Sequence, residues 1–335
     1  MTKYGTPNVL KLEESHDPIP RNGELRIKVE ASGVSFLDLE ARMGKGEQVP
    51  TAPFVPGFEV AGTVELVGQG VPDFQEGDSV FALTRFGGYA DTICVPYYQV
   101  FKRLQWMPVQ DAAALPLNYL TAYLLVRVFG SVQSGDKVLI HNAGGGVGSA
   151  AVDICRIMGA EIFGTASPEK FDYLRGKGVQ NCIDYRNQDY ERVVKDLAGK
   201  NGVQVILDGL GGVHWPKNGR LLSKTGRHIY YGMQSSVNGQ TYSKLAHWRN
   251  LIMTPIFHLF QLTSQNRSIS GVNMLQLIEE PHLYQKWMKQ IISWYDEALF
   301  RPNIDKEFLL SEAEKAHRYL HNRQNKGKVV LMVTP

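Results

Sequence analysis

The sequence predicts an α/β protein that combines a doubly wound parallel-sheet domain with a β-rich domain. From "GDKVLIH" onward, strand-like and helix-like segments alternate, and a glycine-rich loop follows the first of these strands. Such alternation is expected of a parallel sheet covered by helices. The chain up to about residue 118 instead forms short, Gly- and Pro-rich strand-like segments, which predict the β-rich domain.

The composition is that of a globular protein with a sizeable core. Its 335 residues, 43% of them apolar and 21% charged, suffice for two domains. The net charge is only +3 and the Lys and Arg residues are dispersed, so nucleic acid is not an expected partner. Cys94, Cys155 and Cys182 lie far apart, which excludes the usual metal and disulfide spacings and favours a cytoplasmic protein.

Targeting and membrane segments are not expected. The first 30 residues contain no apolar run typical of a signal peptide. The most hydrophobic stretch, "LIMTPIFHLF" at 251–260, is too short for a spanning helix and contains Pro255. We expect no transmembrane segment. The chain opens with "MTKYGTPNVL", and two alternatives stay open: its true start lies upstream, or a first strand is missing.

The order of elements follows from hydrophobic periodicity. "ELRIKVEA", from Glu24, alternates apolar and polar residues and predicts a half-buried strand. The parallel sheet is predicted from the strands "KVLIH", "EIFGTA", "NCIDY", "VQVILDG" and "RHIYYG". "LNYLTAYLLVRVFG" and "PHLYQKWMKQIISWYDEALF" predict helices, and Ser311 with Glu314 has the spacing of a capping box at the start of a later helix.

The glycine-rich loop is the strongest local signal for a cofactor. In "KVLIHNAGGGVGSAAVDICRIMGA", Ala143, Gly145 and Gly148 occupy the first, third and sixth places of the G-x-G-x-x-G pattern, between a strand and a helix. Glycines allow a sharp turn and a close approach of pyrophosphate to the helix N-terminus. The alternative is a merely tight structural turn. Candidate dinucleotide contacts here are Gly145, Gly146, Val147 and Gly148.

The end of the second strand favours NADPH over NADH. An NAD site usually has an acidic residue there to bind the ribose hydroxyls, whereas this chain has Thr165, Ala166 and Ser167. Lys170 is suited to a ribose 2′-phosphate, and Tyr185 to the adenine side. In the alternative interpretation, Ser167 begins a helix and Lys170 is only solvated.

Several motifs together resemble a known superfamily. They are "HNAGGGVG", "LNYLTAY", "GGYAD", "IDYRNQDY" and "GKVVLMV", spread in order over essentially the whole chain. They are similar to the zinc-independent quinone oxidoreductase branch of the medium-chain dehydrogenase/reductase superfamily. "FGTASPEK", "LGG", "YGM" and "PNID" most resemble its vesicle amine transport protein-like subgroup.

The resemblance implies a particular domain arrangement. A discontinuous GroES-like catalytic domain is expected over 1–119 and 274–335, and a Rossmann domain that binds NADP over 120–273. The cofactor and substrate of the family lie in the cleft between these domains. Many members form homodimers through edge strands of the Rossmann sheet, which here predicts pairing through "RSISGVNM" at 267–274.

The zinc ligands of related dehydrogenases are replaced in this chain. By resemblance, Ser35 stands where those enzymes have Cys, and Phe58 where they have His. A hydroxyl and a phenyl group cannot replace thiolate and imidazole on zinc, so no metal is expected. Without a Lewis acid, a conjugated acceptor such as a quinone or an α,β-unsaturated carbonyl is the expected substrate, with solvent completing the protonation.

The resemblance also assigns candidate site residues. Ser35, Asp38 and Thr121 are expected near the nicotinamide and are the candidate catalytic residues. Further candidate cofactor contacts are Asn118, Gly232, Met233 and Lys328, together with Thr121. Tyr89, Asn118 and Trp106 are candidate pocket residues, although a packing or turn role is favoured for each. We expect Glu59, beside Phe58, to be a buried structural carboxylate that is hydrogen-bonded or paired with a nearby base.

Two functions remain open from the sequence alone. The first is an NADPH-dependent reductase of a small-molecule quinone or enone. The alternative is a nucleotide-binding regulatory protein associated with vesicles or membranes and having little turnover. Oxidation of simple alcohols is a third possibility that the missing zinc ligands disfavour.

Overall fold

The computed structural model describes residues 1–46, 49–238, 240–255 and 259–333. Its strands are β1 Glu24–Val34, β2 Glu59–Val67, β3 Ser79–Leu83, β4 Thr92–Pro96, β5 Val100–Lys102, β6 Lys137–Ile140, β7 Glu161–Ala166, β8 Asn181–Asp184, β9 Val203–Asp208, β10 Leu222–Tyr230, β11 Val237–Asn238, β12 Thr241–Tyr242, β13 Ser268–Gly271, β14 Ile304–Leu309 and β15 Lys328–Met332. Its α-helices are α1 Phe36–Arg42, α2 Val109–Ala114, α3 Pro116–Tyr123, α4 Gly146–Ile157, α5 Phe171–Gly176, α6 Tyr190–Ala198, α7 Trp215–Leu221, α8 Lys244–Met253, α9 Leu259–Gln265, α10 Pro281–Asp296 and α11 Ala313–His321.

The chain separates into two compact units. The first contains Met1–Leu120, Gly239–Thr241 and Leu275–Pro335, and the second contains Thr121–Asn238 and Tyr242–Met274. The first unit is therefore assembled from both ends of the chain, while the second is formed mainly by its middle.

The first unit is built on a mostly antiparallel sheet. Its strand order is β14-β15-β1-β2-β3-β5, and β4 pairs separately with β1. The long strand β1 pairs with β15, β2 and β4, so it joins the C-terminal return to the N-terminal strands. Leu25, Ile27 and Val29 are buried as their alternation predicts.

The second unit contains a parallel six-stranded sheet. Its strand order is β13-β10-β9-β6-β7-β8. When these six strands are numbered along the chain and the sheet is read from the β8 edge, the order is 3-2-1-4-5-6. This is the order of a Rossmann fold. Leu139, Phe163, Ile183 and Ile206, from four adjacent strands, form one buried cluster with residues of the covering helices. The predicted fold class is therefore confirmed.

Two local predictions differ from the structure. The helix predicted from 117 onward leaves α-helical geometry after Tyr123, and Leu124–Phe129 form wider π-helical turns. The capping box predicted for Ser311 and Glu314 is wrong, because α11 starts later, with Glu312 as its N-cap. The Glu312 carboxylate instead accepts the backbone N–H of Leu309.

No helix within the described residues is long and apolar enough to cross a bilayer. Residues 256–258 of the hydrophobic stretch lie outside the described part of the chain.

Candidate cofactor and catalytic site

The glycine loop connects β6 to α4 in the second unit. Helix α4 begins at Gly146, with Gly145 in extended conformation as its N-cap. A Cβ atom on Gly148 would lie 2.2 Å from the carbonyl oxygen of Asn142, so only glycine allows this approach of helix and loop. The first N–H groups of a helix have no partner within it, which suits them to a pyrophosphate. Gly145, Gly146, Val147 and Gly148 all lie at this helix start.

A second segment lies beside the loop. Asn142 adopts a left-handed conformation with φ 54°, and its side-chain amide donates to Oε1 of Gln234 at 3.1 Å. Gln234 directly follows Gly232 and Met233, and its backbone N–H donates to the carbonyl of Gly209 at 3.1 Å. The predicted contacts Gly232 and Met233 therefore belong to a segment that is hydrogen-bonded to the glycine loop.

Lys170 and Ser167 are the next two residues of interest, because both were expected at the adenosine end of the cofactor. Lys170 is only 6% exposed, and its Cδ lies 2.6 Å from the position that a Cβ on Gly144 would take. A purely solvated Lys170 is thus wrong. Ser167 does occupy the N-cap position of the short 3₁₀ helix Pro168–Lys170, but its hydroxyl makes no capping hydrogen bond.

Beside Tyr185 lies an ion pair that the sequence did not predict. Tyr185 follows β8 and is 37% exposed. Next to it, Arg186 forms an ion pair with Glu169 at 3.0 Å. A hydrogen bond from Ser167, followed by the charge of Arg186, lowers the pKa of Glu169 below its ordinary value. The paired strands β7 and β8 are therefore followed by two cationic residues, Lys170 and Arg186, and one anionic residue, Glu169.

Ser35 and Asp38 form a tight pair in the first unit. The backbone N–H and the hydroxyl of Ser35 both donate to Oδ2 of Asp38, each at 2.7 Å. These contacts form a capping box at the start of α1. Asp38 is fully buried, and burial raises the pKa of its carboxyl to about 7, against the opposing hydrogen bonds of Ser35 and the charge of Lys328.

Glu59 and Lys328 form a buried ion pair close to Asp38. Glu59 is 0% exposed; one carboxylate oxygen accepts the N–H of Leu117 at 2.9 Å, and the other accepts the Lys328 ammonium. This confirms that Glu59 is a structural carboxylate paired with a base. Lys328, a predicted cofactor contact, is 3% exposed and serves here as the counter-ion of Glu59.

The donor set beside Glu59 does not fit zinc. Phe58 is 2% exposed, and its ring packs 4.9 Å from that of Phe86, centroid to centroid. The Ser35 hydroxyl is committed to Asp38. Within the described ranges, no three His, Cys, Asp or Glu side chains are grouped as metal ligands. A phenyl ring and a hydrogen-bonded hydroxyl leave this place without the soft ligands that zinc requires.

Thr121 and Asn118 both lie on α3. Their exposed fractions are 8% and 5%, so both side chains are largely buried. Of the other two pocket candidates, Tyr89 is buried, whereas Trp106 is half exposed and stacks on Tyr295 with ring centroids 5.1 Å apart. Trp106 therefore has a packing partner of its own.

Sequence reasoning missed a buried chain behind Tyr89. Nε of Arg42 donates to Nδ1 of His317 at 3.2 Å, and Nε2 of His317 lies 3.0 Å from the Tyr89 hydroxyl. Because Nδ1 accepts from Arg42, Nε2 carries the proton and donates to Tyr89. Burial and the charge of Arg42 hold the pKa of His317 well below its usual value. No sequence signal connects residues 275 positions apart.

Comparisons with known proteins identify the family. Residues 21–106 match the alcohol dehydrogenase GroES-like domain, and residues 177–331 match a family described as zinc-binding dehydrogenase. The chain is 34% identical to the human synaptic vesicle membrane protein VAT-1 homolog, over 100% of this chain and 86% of that protein. The chain belongs to the medium-chain dehydrogenase/reductase superfamily.

Further superfamily members are similar along their whole length. Pig quinone oxidoreductase is 30% identical over 99% of this chain and 96% of its own. The crystal structure of human VAT-1 homolog-like protein has a TM-score of 0.86 and 32% identity, covering 100% of this chain and 97% of that one.

Two more solved structures have matching folds. The CurK enoyl reductase has a TM-score of 0.85 and 27% identity, covering 99% of this chain and 97% of its own. A mycobacterial protein complexed with NADPH has a TM-score of 0.86 and 26% identity, covering 99% and 98%. The resemblance drawn from the sequence motifs is confirmed.

The buried pair makes a first prediction. Glu59→Gln should lower the free energy of unfolding by about 3–5 kcal/mol, because it leaves the Lys328 charge buried without a counter-ion. The double variant Glu59→Gln with Lys328→Met should recover at least half of that loss. Chemical denaturation measures both.

A surface pair provides the control. Arg85 and Glu279 pair at 3.2 Å with side chains 37% and 75% exposed, so Glu279→Gln should cost less than about 1 kcal/mol. If Glu59→Gln costs no more than Glu279→Gln, the buried pair does not have the structural role assigned to it.

Proposed function

We propose that the protein is a zinc-independent, NADPH-dependent reductase that transfers hydride to a quinone or an α,β-unsaturated carbonyl compound. The observation that carries the proposal is the glycine loop at the start of α4, closed by the contact between Gly148 and Asn142, in a chain whose zinc ligands are replaced. Similarity to a quinone oxidoreductase, to an enoyl reductase and to an NADPH complex supports it.

Each part of the cofactor has candidate partners in this chain. The N–H groups at Gly146 to Gly148 would bind the pyrophosphate. Lys170 and Arg186 would neutralise a ribose 2′-phosphate, whereas an uncharged ribose hydroxyl needs no cation beside it. When bound, NADPH supplies a hydride to an electron-poor carbon of the acceptor. A conjugated acceptor spreads the resulting charge to its oxygen, so no Lewis-acidic metal is required.

Ser35 and Asp38 are the proposed proton source. After hydride addition the acceptor carries an extra electron pair and needs one proton. When Asp38 is protonated, its carboxyl O–H would donate to Oγ of Ser35, which reverses the hydrogen bond between the two side chains. The Ser35 hydroxyl would then donate its own proton to the acceptor and regain one from Asp38, which is left as a carboxylate. A carboxyl whose pKa is raised to about 7 holds a proton in a useful fraction of molecules near neutral pH. Thr121 and Asn118, both on α3, are proposed to hold the cofactor.

We further propose a cytoplasmic homodimer. Strand β13 lies at one edge of the six-stranded sheet and pairs with β10 on its inner side. An exposed strand edge can pair with the same edge of a second copy about a twofold axis.

A membrane-associated regulatory protein is the second candidate. Several relatives are named synaptic vesicle membrane proteins. Helices α8 and α9 expose large apolar side chains, including Leu245, Trp248, Ile252, Leu259 and Phe260. Exposed apolar patches of this kind often mark interaction surfaces. Turnover separates the two candidates.

The function has a direct test. Purified protein with saturating NADPH and a panel of quinones and enals should oxidise NADPH well above the rate without enzyme, as followed by absorbance. Added zinc should leave the rate unchanged. NADPH binding without turnover on any acceptor would favour the regulatory candidate instead.

The proton source predicts a pH dependence. The rate of reduction should fall as pH rises through about 7, because Asp38 then loses the proton that it must donate. Asp38→Asn keeps an acceptor for the Ser35 N–H but cannot titrate, so this inflection should disappear and the rate should drop. An inflection that persists in Asp38→Asn would mean that another group titrates, and an unchanged rate in that variant would mean that solvent supplies the proton; either result would overturn the assignment.

Cofactor choice depends on Lys170. Lys170→Ala should weaken NADPH binding by about tenfold or more, the effect of losing a charged hydrogen bond, while NADH binding changes little. Fluorescence titration measures both affinities. Lys200→Ala, at an exposed lysine of the same unit, is the control and should affect neither. Equal losses for NADPH and NADH in Lys170→Ala would refute the 2′-phosphate assignment.

A further inference from the structure

A buried polar chain runs beneath the glycine loop of the second unit. The backbone N–H of Asn142 donates to Oγ1 of Thr165 at 3.2 Å, and Oγ1 of Thr165 lies 3.2 Å from Nδ1 of His141. Nε2 of His141 lies 2.9 Å from Oδ1 of Asn218, and Nδ2 of Asn218 donates to Oδ2 of Asp208 at 2.9 Å. The chain thus connects the first residues of the loop to the end of β9.

The far end of this chain is fixed. Asp208 is 0% exposed, and its carboxylate accepts N–H groups of Leu210 and Gly211 as well as Nε2–H of His228. Burial alone would raise the pKa of Asp208, but the hydrogen bonds from His228 and from the backbone of Gly211 lower it below its ordinary value. Asp208 therefore remains an ionised acceptor, and the Asn218 amide must turn its NH₂ group toward it.

The direction of every bond then follows. With its NH₂ toward Asp208, Asn218 presents only its oxygen to His141, so Nε2 of His141 must carry the proton. Nδ1 is then an acceptor, and the Thr165 hydroxyl donates a hydrogen bond to it. That leaves Oγ1 of Thr165 free to accept from Asn142. Only a neutral His141 in this one tautomer satisfies all of the groups.

The surroundings of His141 keep it neutral. His141 is 0% exposed, and burial lowers its pKa below 6.5, although Asp208 and the Asn218 hydrogen bond act against that shift. His228 disfavours the charged form further. The rings of Tyr190 and His214 lie 5.1 and 6.0 Å from it, and burial lowers the pKa of His214 to about 4.

We propose that His141 is a positioning residue for the dinucleotide. Through Thr165 it holds the backbone of Asn142, whose carbonyl accepts from Gly145 at 3.0 Å and lies against Gly148. The neutral ring thereby keeps the glycine loop in the conformation that receives pyrophosphate. The inference rests on the proposed cofactor binding, and it makes that binding sensitive to one buried proton.

Two substitutions separate the bonds that His141 makes. His141→Asn keeps an acceptor at the place of Nδ1, and Asn218 still accepts from Tyr190 at 3.1 Å. The NADPH affinity of the His141→Asn variant should stay within about threefold of that of the natural protein. His141→Gln keeps a donor toward Asn218 but removes the acceptor that Thr165 needs, so affinity should fall about tenfold. Equal losses in the two variants would overturn the positioning role.

The pH dependence gives a second test of the same idea. Affinity should be level from pH 8 to 6.5 and fall below, because protonated Nδ1 can no longer accept from Thr165. In His141→Asn the fall should be absent. Titrations use NADH beside NADPH, since NADH lacks a 2′-phosphate that itself titrates near pH 6. His247→Asn, at a histidine of the same unit that packs on Tyr242, is the control and should keep the fall; its absence there would overturn the assignment to His141.

Nitrogen-15 NMR of the histidine side chains tests the tautomer without any nucleotide. The signal that disappears in His141→Asn should be that of a neutral ring protonated at Nε2 at pH 7. A charged ring, or a proton on Nδ1, would overturn the proposal whether or not NADPH binds. If the tautomer is as stated but the natural protein binds no nucleotide, the proposed function fails and the positioning role with it.

Discussion

The first unit depends on one buried carboxylate and its counter-ion. Glu59 opens β2, Lys328 opens β15, and the N–H that Glu59 also accepts belongs to the start of α3. A charge this deeply buried is stable only when paired and hydrogen-bonded, so three distant stretches of chain must meet at one point. A Cβ on Gly33 would lie 2.5 Å from the same carboxylate, which leaves no room for a side chain beside the pair.

The second unit meets a comparable constraint with neutral groups. There, the glycine loop must turn sharply while its backbone remains hydrogen-bonded, and the sheet below it contains the ionised Asp208. Donors and acceptors alternate from Asp208 to Asn142, so each buried polar group is hydrogen-bonded to the next one. The loop backbone and the buried carboxylate are thereby both hydrogen-bonded. Glycine spacing alone fixes where the loop can turn, and the polar chain determines which backbone conformation it takes.

Local patterns predicted the elements well, and long-range partners hardly at all. The alternation in β1 and the strand, loop and helix order around Gly148 depend on neighbours in sequence, so periodicity and glycine spacing were enough. The partner of Glu59 is 269 positions away, and that of His141 is 77 positions away. A lysine or an asparagine looks the same in sequence whether solvated or buried. The expectation that Glu59 needed a base came from burial, and only the fold could name Lys328.

The replaced zinc ligands change which charges govern the proposed chemistry. With Phe58 and Ser35 at this place, the charged groups that influence Asp38 are Lys328, which lowers its pKa, and Glu59, which raises it. Lys328 and Glu59 cancel each other as a pair, so the net local charge depends on whether Asp38 holds a proton. Hydride addition places negative charge on the acceptor, and an ionised Asp38 beside it would oppose that step. In the proposed reaction the protonated carboxyl would therefore help twice: it would remove the repulsion, and it would supply the proton through Ser35. The burial that raises the pKa of Asp38 would then take over part of the electrostatic role that zinc has in related enzymes.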